Sequence, residues 1–407
     1  MSLQLLTLAT AAGGFALVGL IYNTDAGYFM CTALVAVIVV AFITSHLSAR
    51  ALVWRREVAD RVFENEAFTV TLHVTNRGRI PLFFLYVSDA MPEHVSAVEA
   101  PHFVLVALWP REQATLTYRA RAAKRGVFPL GPLRVTVSDP FGVFQRAHPV
   151  ALPGHAVVLP RPMPLLADRE QRGLDLRGLV SGDLSRASDS DLEFYGIRDY
   201  QPGDELRRIH WPATAHHAKI TVIEYERGTS GSLLVVLDTL LGGEFGAGVN
   251  TTLEVGVKIA ASLVHWALEN DGSACLAFGG AEEARWEQAD AGARERLLLE
   301  ALAWAKADSH LSVSAVAEWA APRAPSGSAV AFVTAAPDAS LPAVVQWLTD
   351  ENAAVLVFSL DPGSFGGPRV FDEAMEGRLR AAGARVAVYR RGLDLREYLL
   401  HALLDYH

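Results

Sequence analysis

The stretch Leu233-Leu234-Val235-Val236-Leu237-Asp238-Thr239-Leu240-Leu241-Gly242 decides how the larger part of this chain folds. An unbroken apolar run that ends on a carboxylate and turn-forming residues is the mark of a short strand buried on both faces. Comparable runs return at residues 274–278, 329–333, 355–358 and 386–388, with helical patterns between them and after the last. In the first of those helices Val255, Ile259, Ser262, Leu263 and Trp266 share one face, and Thr251 with Glu254 has the spacing of a capping box. Leu341, Val344, Val345 and Leu348 repeat that face in a later helix. The alternation predicts a doubly wound α/β domain over residues 229–407, its parallel sheet covered by helices on both sides. Ligands bind such sheets beyond the C-terminal ends of the strands, so the loop opened by Asp238 is the place to look for a site.

Toward the N-terminus the period changes. Phe68, Val70, Leu72 and Val74 alternate with Thr69, Thr71, His73 and Thr75, the pattern of a half-buried strand, and Asn76-Arg77-Gly78 then reads as a turn. Further β-rich runs at residues 82–87, 114–120 and 133–137, separated by Gly and Pro, predict an antiparallel β-sandwich over residues 55–150. The stretch Lys124-Arg125-Gly126-Val127-Phe128-Pro129-Leu130-Gly131-Pro132-Leu133, followed by Asp139-Pro140-Phe141-Gly142-Val143-Phe144, reads locally as a strand, a turn and a strand.

Residues 1–50 read as two transmembrane helices. Residues 3–22 hold no ionisable group except Tyr22, and residues 28–47 only Tyr28, Cys31 and His46. About 20 residues at roughly 1.5 Å each span a hydrocarbon core of about 30 Å. A cleaved signal peptide is the other reading of such a start, but no Lys or Arg precedes Leu3 and a second apolar segment follows at once. The link Asn23-Thr24-Asp25-Ala26-Gly27 has no basic residue, whereas Arg50, Arg55, Arg56 and Arg61 follow the second segment, so both termini are expected in the cytoplasm.

The composition fits this division. The chain of 407 residues is 51% hydrophobic yet 20% charged, with a mean hydropathy of +0.21, and the apolar excess sits at its start. A formal net charge of −9 argues against nucleic acid as a partner, because counterion release needs many cations on one face. Two cysteines, Cys31 and Cys275, supply neither a disulfide framework nor a thiolate metal site.

Between the domains, residues 151–228 form a connecting segment. It reaches Gly196-Ile197-Arg198-Asp199-Tyr200-Gln201-Pro202-Gly203-Asp204-Glu205-Leu206-Arg207-Arg208-Ile209-His210-Trp211-Pro212-Ala213-Thr214-Ala215. Pro202-Gly203 suits the centre of a type II turn, and Asp204 the cap of a short helix carrying Arg207. Arg198, Asp199, Asp204 and Arg207 either form an ion-pair cluster that fixes the turn or present a docking surface.

The series Gly196, Arg198, Tyr200, Pro202, Gly203, Asp204, Arg207, Ile209, Trp211, Thr214 and Ala215, with the upstream Arg125-Gly126 to Phe144 pattern and the hairpin, resembles the bacterial membrane proteins grouped as domain of unknown function 58. The resemblance covers essentially the whole chain. It implies a bacterial membrane protein with a membrane hairpin, a β-sandwich and a C-terminal domain similar to von Willebrand factor type A; with the basic flank after the second span, the expected place is the bacterial inner membrane, multi-pass, with the soluble domains facing the cytoplasm. It also implies pairing with a MoxR-type AAA+ ATPase. Pro212 and His216 depart from the resemblance, standing where many relatives carry basic residues.

Von Willebrand type A domains hold a divalent cation with D-x-S-x-S after their first strand, joined by a Thr and an Asp from other loops. Here Asp238 remains, Leu240 and Gly242 replace the two serines, and Thr334 is followed by Ala335-Ala336. Asp238 and Thr334 thus form a degenerate site, and neither metal nor cofactor is expected. The loop at residues 242–248 is not G-x-G-x-x-G and has no P-loop Lys, no G-x-S-x-G or H-E-x-x-H occurs, and the spacing of His210, His216 and His217 matches no standard zinc site. No catalytic residue is identified. The sequence therefore points to a non-enzymatic, membrane-anchored interaction protein binding the bilayer and a protein partner in assembly or envelope-related processes. Arg198, Asp199, Tyr200, Pro202, Gly203, Asp204, Arg207, Trp211 and Thr214 make up its docking or structural motif. The alternative is a divalent-metal-dependent ligand binder, or an enzyme, using the cleft near Asp238.

Overall fold

A computed structural model describes residues 3–48, 51–59, 61–165, 193–199, 214, 219–226, 231–270, 272–290, 295–368 and 373–404. The chain divides into two units, Met1–Leu159 and Pro160–His407.

The first unit opens with helices α1 (Leu3–Tyr22) and α2 (Asp25–Ser48). They meet where side chains vanish: a Cβ on Gly27 would lie 2.6 Å from the Cα of Gly19. Small residues at such a crossing let two backbones approach closely. Thr7, Thr10, Thr32 and Thr44 each donate their hydroxyl to a carbonyl one turn back, which leaves no side-chain polar group of theirs unsatisfied in an apolar medium. Both helices are long and apolar enough to cross a membrane, and only 11% of either apolar window is buried within the protein.

Strands β1 (Leu52–Val58), β2 (Arg61–Phe63), β3 (Ala67–Asn76), β4 (Leu82–Asp89), β5 (Val95–Ala97), β6 (His102–Leu108), β7 (Gln113–Ala122), β8 (Gly126–Pro129), β9 (Leu133–Ser138), β10 (Gln145–Val150) and β11 (His155–Leu159) follow. They build antiparallel sheets in the orders β1-β3-β7-β5 and β10-β9-β4-β6. Alternate residues of both sheets enter one core, among them Phe68, Val70, Leu72, Val74, Leu85, Val87, Leu116, Val135 and Val137. A third sheet, β2-β11-β8, pairs β2 with β11 in parallel, so the β body is mixed where the sequence predicts only antiparallel pairing. The cause is chain return: β11, apolar throughout from Ala156 to Leu159, closes the body beside its second strand.

The described part of the second unit includes an antiparallel pair of β12 (Glu193–Asp199) and β13 (Thr221–Glu226). Its main sheet contains β14 (Ser232–Leu237), then, after the two-residue strands β15 (Gly246–Ala247) and β16 (Asn250–Thr251), β17 (Ser273–Gly279), β18 (Ala284–Asp290), β19 (Ala329–Thr334), β20 (Val355–Leu360) and β21 (Arg385–Tyr389). Six strands lie in the order β18-β17-β14-β19-β20-β21. Counted along the chain this is 3-2-1-4-5-6, a doubly wound order whose direction reverses between β14 and β19. Among the described residues the α-helices of this unit are α3 (Thr252–Glu269), α4 (Glu295–Trp304), α5 (Val313–Ala320), α6 (Leu341–Asp350), α7 (Glu373–Ala381) and α8 (Leu395–Leu404). One sheet face, with Leu234, Val236, Cys275, Phe332 and Val357, packs on α5, α6 and α7. The other receives α3, where Gly256 brings the helix onto Leu237, Val333 and Leu360.

One element of this sheet departs from expectation. The sequence predicts helices directly after residues 274–278, but β18 comes first and runs antiparallel to β17. Its polar, charged residues Arg285, Glu287, Gln288 and Asp290 suit an edge strand, which lacks the continuous apolar run that marks its neighbours.

Helices α3 and α4 are joined by His265, whose Nδ1 lies 2.7 Å from Glu295 Oε1 and Nε2 3.2 Å from Glu269 Oε1. The hydrogen bond to Glu295 raises the His265 pKa against the opposing effect of burial, with both carboxylates adding to the rise. A raised histidine pKa contributes stability that is fully present below the unfolded value of 6.5 and is lost as pH climbs through the folded value. With partners this exposed the contribution is about 0.2–1 kcal/mol. In urea titrations at pH values on either side of that window, His265→Gln is expected to remove this part of the pH dependence, and an unchanged slope would contradict it.

Candidate functional site

The reversal point between β14 and β19 brings the two predicted residues of the strand ends together. Thr334, 96 residues further along the chain, donates its hydroxyl to Asp238 Oδ2 at 2.7 Å. Leu240 N donates to Asp238 Oδ1 at 3.0 Å, and Ala336 N to Thr334 Oγ1 at 3.1 Å. Asp238 N in turn bonds Val333 O at 2.8 Å, extending the β14–β19 ladder by one residue.

The loop after Asp238 is locked from the other side as well. Thr239 Oγ1 donates to Gly279 O at 2.8 Å, Ser309 N to Thr239 O at 3.1 Å, and Leu241 N to Ser309 O at 2.8 Å. The packing leaves no room at Gly279, where a Cβ would fall 1.9 Å from Ser309 Oγ.

A further carboxylate approaches that the sequence does not single out. Asp338, in the loop between β19 and α6, accepts from Ser314 Oγ at 2.7 Å and also from Ser340 Oγ. Burial raises the pKa of Asp238, the hydrogen bonds from Thr334 and Leu240 hold it down, and the charge of Asp338 pushes it up again. Asp338 stands four residues beyond Thr334, not beside it, so only the folded loop reveals its proximity.

These groups have little freedom to act on a ligand. Both oxygens of Asp238 and both of Asp338 already accept hydrogen bonds. Thr334 is 1% exposed. The cavity against Asp238, Leu240, Gly243, Glu244 and Thr252 measures about 10 Å³, whereas small-molecule sites occupy roughly 300–1,000 Å³. A divalent cation of the kind the resemblance implies needs about six oxygen ligands. Two carboxylates committed to internal donors do not fit that need. Among the described residues no group of three or more His, Cys, Asp or Glu is placed to hold a metal ion. Cys275 is buried in β17, and burial pushes its thiol up to about 12, the wrong direction for a nucleophile.

A larger cavity of about 650 Å³ is lined by β20, β21, α7 and α8 with Phe358, Arg380, Tyr398 and His401. In the connecting motif, Arg198 and Asp199 close β12 and pair with Val222 and Thr221 of β13, so the polypeptide is extended at these two positions. Thr214 is half-buried. Tyr200, Pro202, Gly203, Asp204, Arg207 and Trp211, together with the histidines at 210, 216 and 217, lie outside the described residues.

Comparison with known proteins agrees with the motif. A curated relative, the uncharacterized protein YeaD of Bacillus subtilis (strain 168), is 24% identical over 217 residues, 53% of this chain and 52% of the relative, so the chain spans about half the length of the protein it matches. Among solved structures, an alpha-2-macroglobulin mutant from Salmonella is similar with a TM-score of 0.22 and 16% identity over 27% of this chain and 7% of that one. The CARDB domain of a Pyrococcus furiosus protein, in complex with di-metal ions, is similar with a TM-score of 0.20 and 18% identity over 26% of this chain and 87% of that one. Likenesses at these scores do not bear on function. A family model described as "Protein of unknown function DUF58" matches residues 196–335, from the connecting motif through β14 to the loop after β19. This chain carries the DUF58 family segment, and Asp238 and Thr334 both lie inside it.

Proposed function

We propose that this protein is a membrane-anchored, non-enzymatic interaction protein. Its body faces the cytoplasm of a bacterial cell from the inner membrane and binds protein partners, among them a MoxR-type AAA+ ATPase, in assembly or envelope-related processes. The observation that carries the anchor is the pair α1 and α2, whose apolar side chains, such as Leu17, Ile21, Phe29 and Val40, are exposed over most of their length. Such a surface is stable only when lipid or protein covers it. The basic residues that follow α2 support the orientation. The doubly wound sheet, with Asp238 and Thr334 at its reversal point, supports a von Willebrand type A-like reading of residues 229–407.

The interaction role is supported by how the strand ends are used. A carboxylate held by Thr334 and Leu240 and backed by a cavity of about 10 Å³ serves to fix a loop. That leaves other parts of the chain, the motif from Arg198 to Thr214 among them, as the means of engaging a partner. One observation favours the alternative of a metal-dependent binder or enzyme, namely the approach of Asp338 to Asp238. Heating the full-length protein with Mg²⁺, Ca²⁺ or Mn²⁺ separates the two. The interaction reading expects no cation-dependent rise in Tm, whereas a rise abolished by Asp238→Ala would favour the alternative.

A further inference from the structure

We infer that the end of the β-sandwich next to the helical hairpin is a second membrane contact, a surface that rests on the acidic headgroup layer of the same bilayer. The inference depends on α1 and α2 spanning the membrane, and it assigns a role to three loops that the anchor alone does not need.

Three loops come to one end of the first unit, and the hairpin marks which end. Helix α2 stops at Ser48 and β1 begins at Leu52, opposite Asn76 at the end of β3. Arg77 N bonds Ala51 O at 2.9 Å, and Asn76 exchanges backbone bonds with the next loop, to Glu112 O at 3.1 Å and from Arg111 N at 2.7 Å. The Asn76 side chain completes the stitch, donating to Ile80 O and Leu108 O at 3.0 Å each. The turns at residues 77–81 and 109–112 therefore lie side by side where the chain leaves α2.

The β9–β10 loop joins them from the other sheet, because Ser138 pairs with Phe83 near the start of β4. Asp139 shapes that loop by accepting from Phe141 N at 2.8 Å and Phe144 N at 2.5 Å. The Phe144 ring meets Phe42 of α2 edge-on with centroids 5.8 Å apart. A Cβ on Gly142 would stand 3.5 Å from the amide of Gln4, in the first turn of α1. Phe42 precedes the end of α2 by six residues, roughly 9 Å of helix. The loop thus overlaps the last turns of the apolar span instead of standing beyond it.

The residues that this end turns outward are those of a membrane interface. Trp109 is 59% and Phe141 51% exposed, and Arg77, Arg79 and Arg111 are exposed beside them. Indole and phenyl rings partition to the boundary of headgroup and acyl chain, while arginines reach anionic headgroups from the same level. The acidic groups at this end are Asp139, which is buried, and Glu112, whose carboxylate accepts from Trp109 N at 2.6 Å.

The test uses the full-length protein in vesicles of phosphatidylcholine, with or without phosphatidylglycerol, containing lipid brominated near the headgroup. The hairpin contains no tryptophan, so a quenched component of the fluorescence arises in the body. The inference expects a quenched component that Trp109→Phe loses. It should be larger with phosphatidylglycerol and reduced in the Arg77→Gln/Arg79→Gln/Arg111→Gln protein. Quenching unchanged by Trp109→Phe overturns the inference, and quenching indifferent to phosphatidylglycerol overturns its assignment to acidic headgroups. Extraction of the same vesicles with alkaline carbonate tests the hairpin separately. Protein retained without Trp109 quenching leaves the anchor standing alone, whereas protein released removes the anchor and this contact together.

Discussion

Asp89→Ala is expected to destabilise the first unit by about 3–5 kcal/mol, the loss typical when one partner of a buried ion pair is removed. The Arg56 and Asp89 side chains are 1% and 0% exposed, and a single nitrogen bridges them, Arg56 Nη2 lying 2.7 Å and 2.8 Å from the two Asp89 oxygens. Arg56 Nη1 donates to Leu130 O and Leu152 O, and the Tyr118 hydroxyl donates to Asp89 Oδ2 at 2.6 Å. This network ties β1, β4 and β7 to the loops after β8 and β10. Burial, then the hydrogen bond to Asp89, raise the Tyr118 pKa, so the phenol stays protonated and keeps donating. Removing the carboxylate strands a buried guanidinium and a buried hydroxyl at once. Denaturant unfolding of the full-length protein measures the loss. Arg56→Met/Asp89→Leu, which removes both charges, should recover part of it, since the Tyr118 hydroxyl stays without its acceptor. A change below about 1 kcal/mol for Asp89→Ala would contradict the account.

Gly279→Ala is expected to cost about 3 kcal/mol, at the upper end of ordinary overpacking. The new methyl would sit 1.9 Å from Ser309 Oγ and 2.6 Å from Ser309 Cβ. Ser309 cannot retreat freely, because it is fully buried and its backbone is bonded to Thr239 and Leu241. The strain therefore passes to the loop that carries Asp238. Removing the obstructing side chain provides the control: Gly279→Ala/Ser309→Gly should be clearly more stable than Gly279→Ala alone. If the double substitution is no better, the contact with Ser309 is not the cause.

What the sequence made readable follows from which residues carry their own signal. The hairpin is visible because two long apolar spans contain almost no charge. Strands β14, β17, β19 and β20 are visible because both faces are covered and nothing charged interrupts them. Strand β18 escaped because an edge position tolerates Arg285, Glu287 and Asp290, and β12 because its Gly196 and charged Arg198 and Asp199 resemble a turn.

The candidate site divides in the same way. Asp238 and Thr334 could be placed at strand ends from apolar runs alone, and the loss of both serines was legible as Leu240 and Gly242. Asp338 and Ser309 were not legible, since their approach depends on how two loops fold back over the sheet. The ion pair of Arg56 with Asp89 was hidden for a similar reason. Arg56 counts as one of several basic residues following a long apolar segment until the sandwich closes around it.

A tethered body that engages a partner through its surface should bind a purified MoxR-type AAA+ ATPase when the full-length protein is mixed with it in mild detergent. A stable complex is expected, which Arg207→Ala weakens by tenfold or more, about 1.4 kcal/mol, without changing thermal unfolding. No complex with the wild-type protein, or equal binding by Arg207→Ala, would contradict this role.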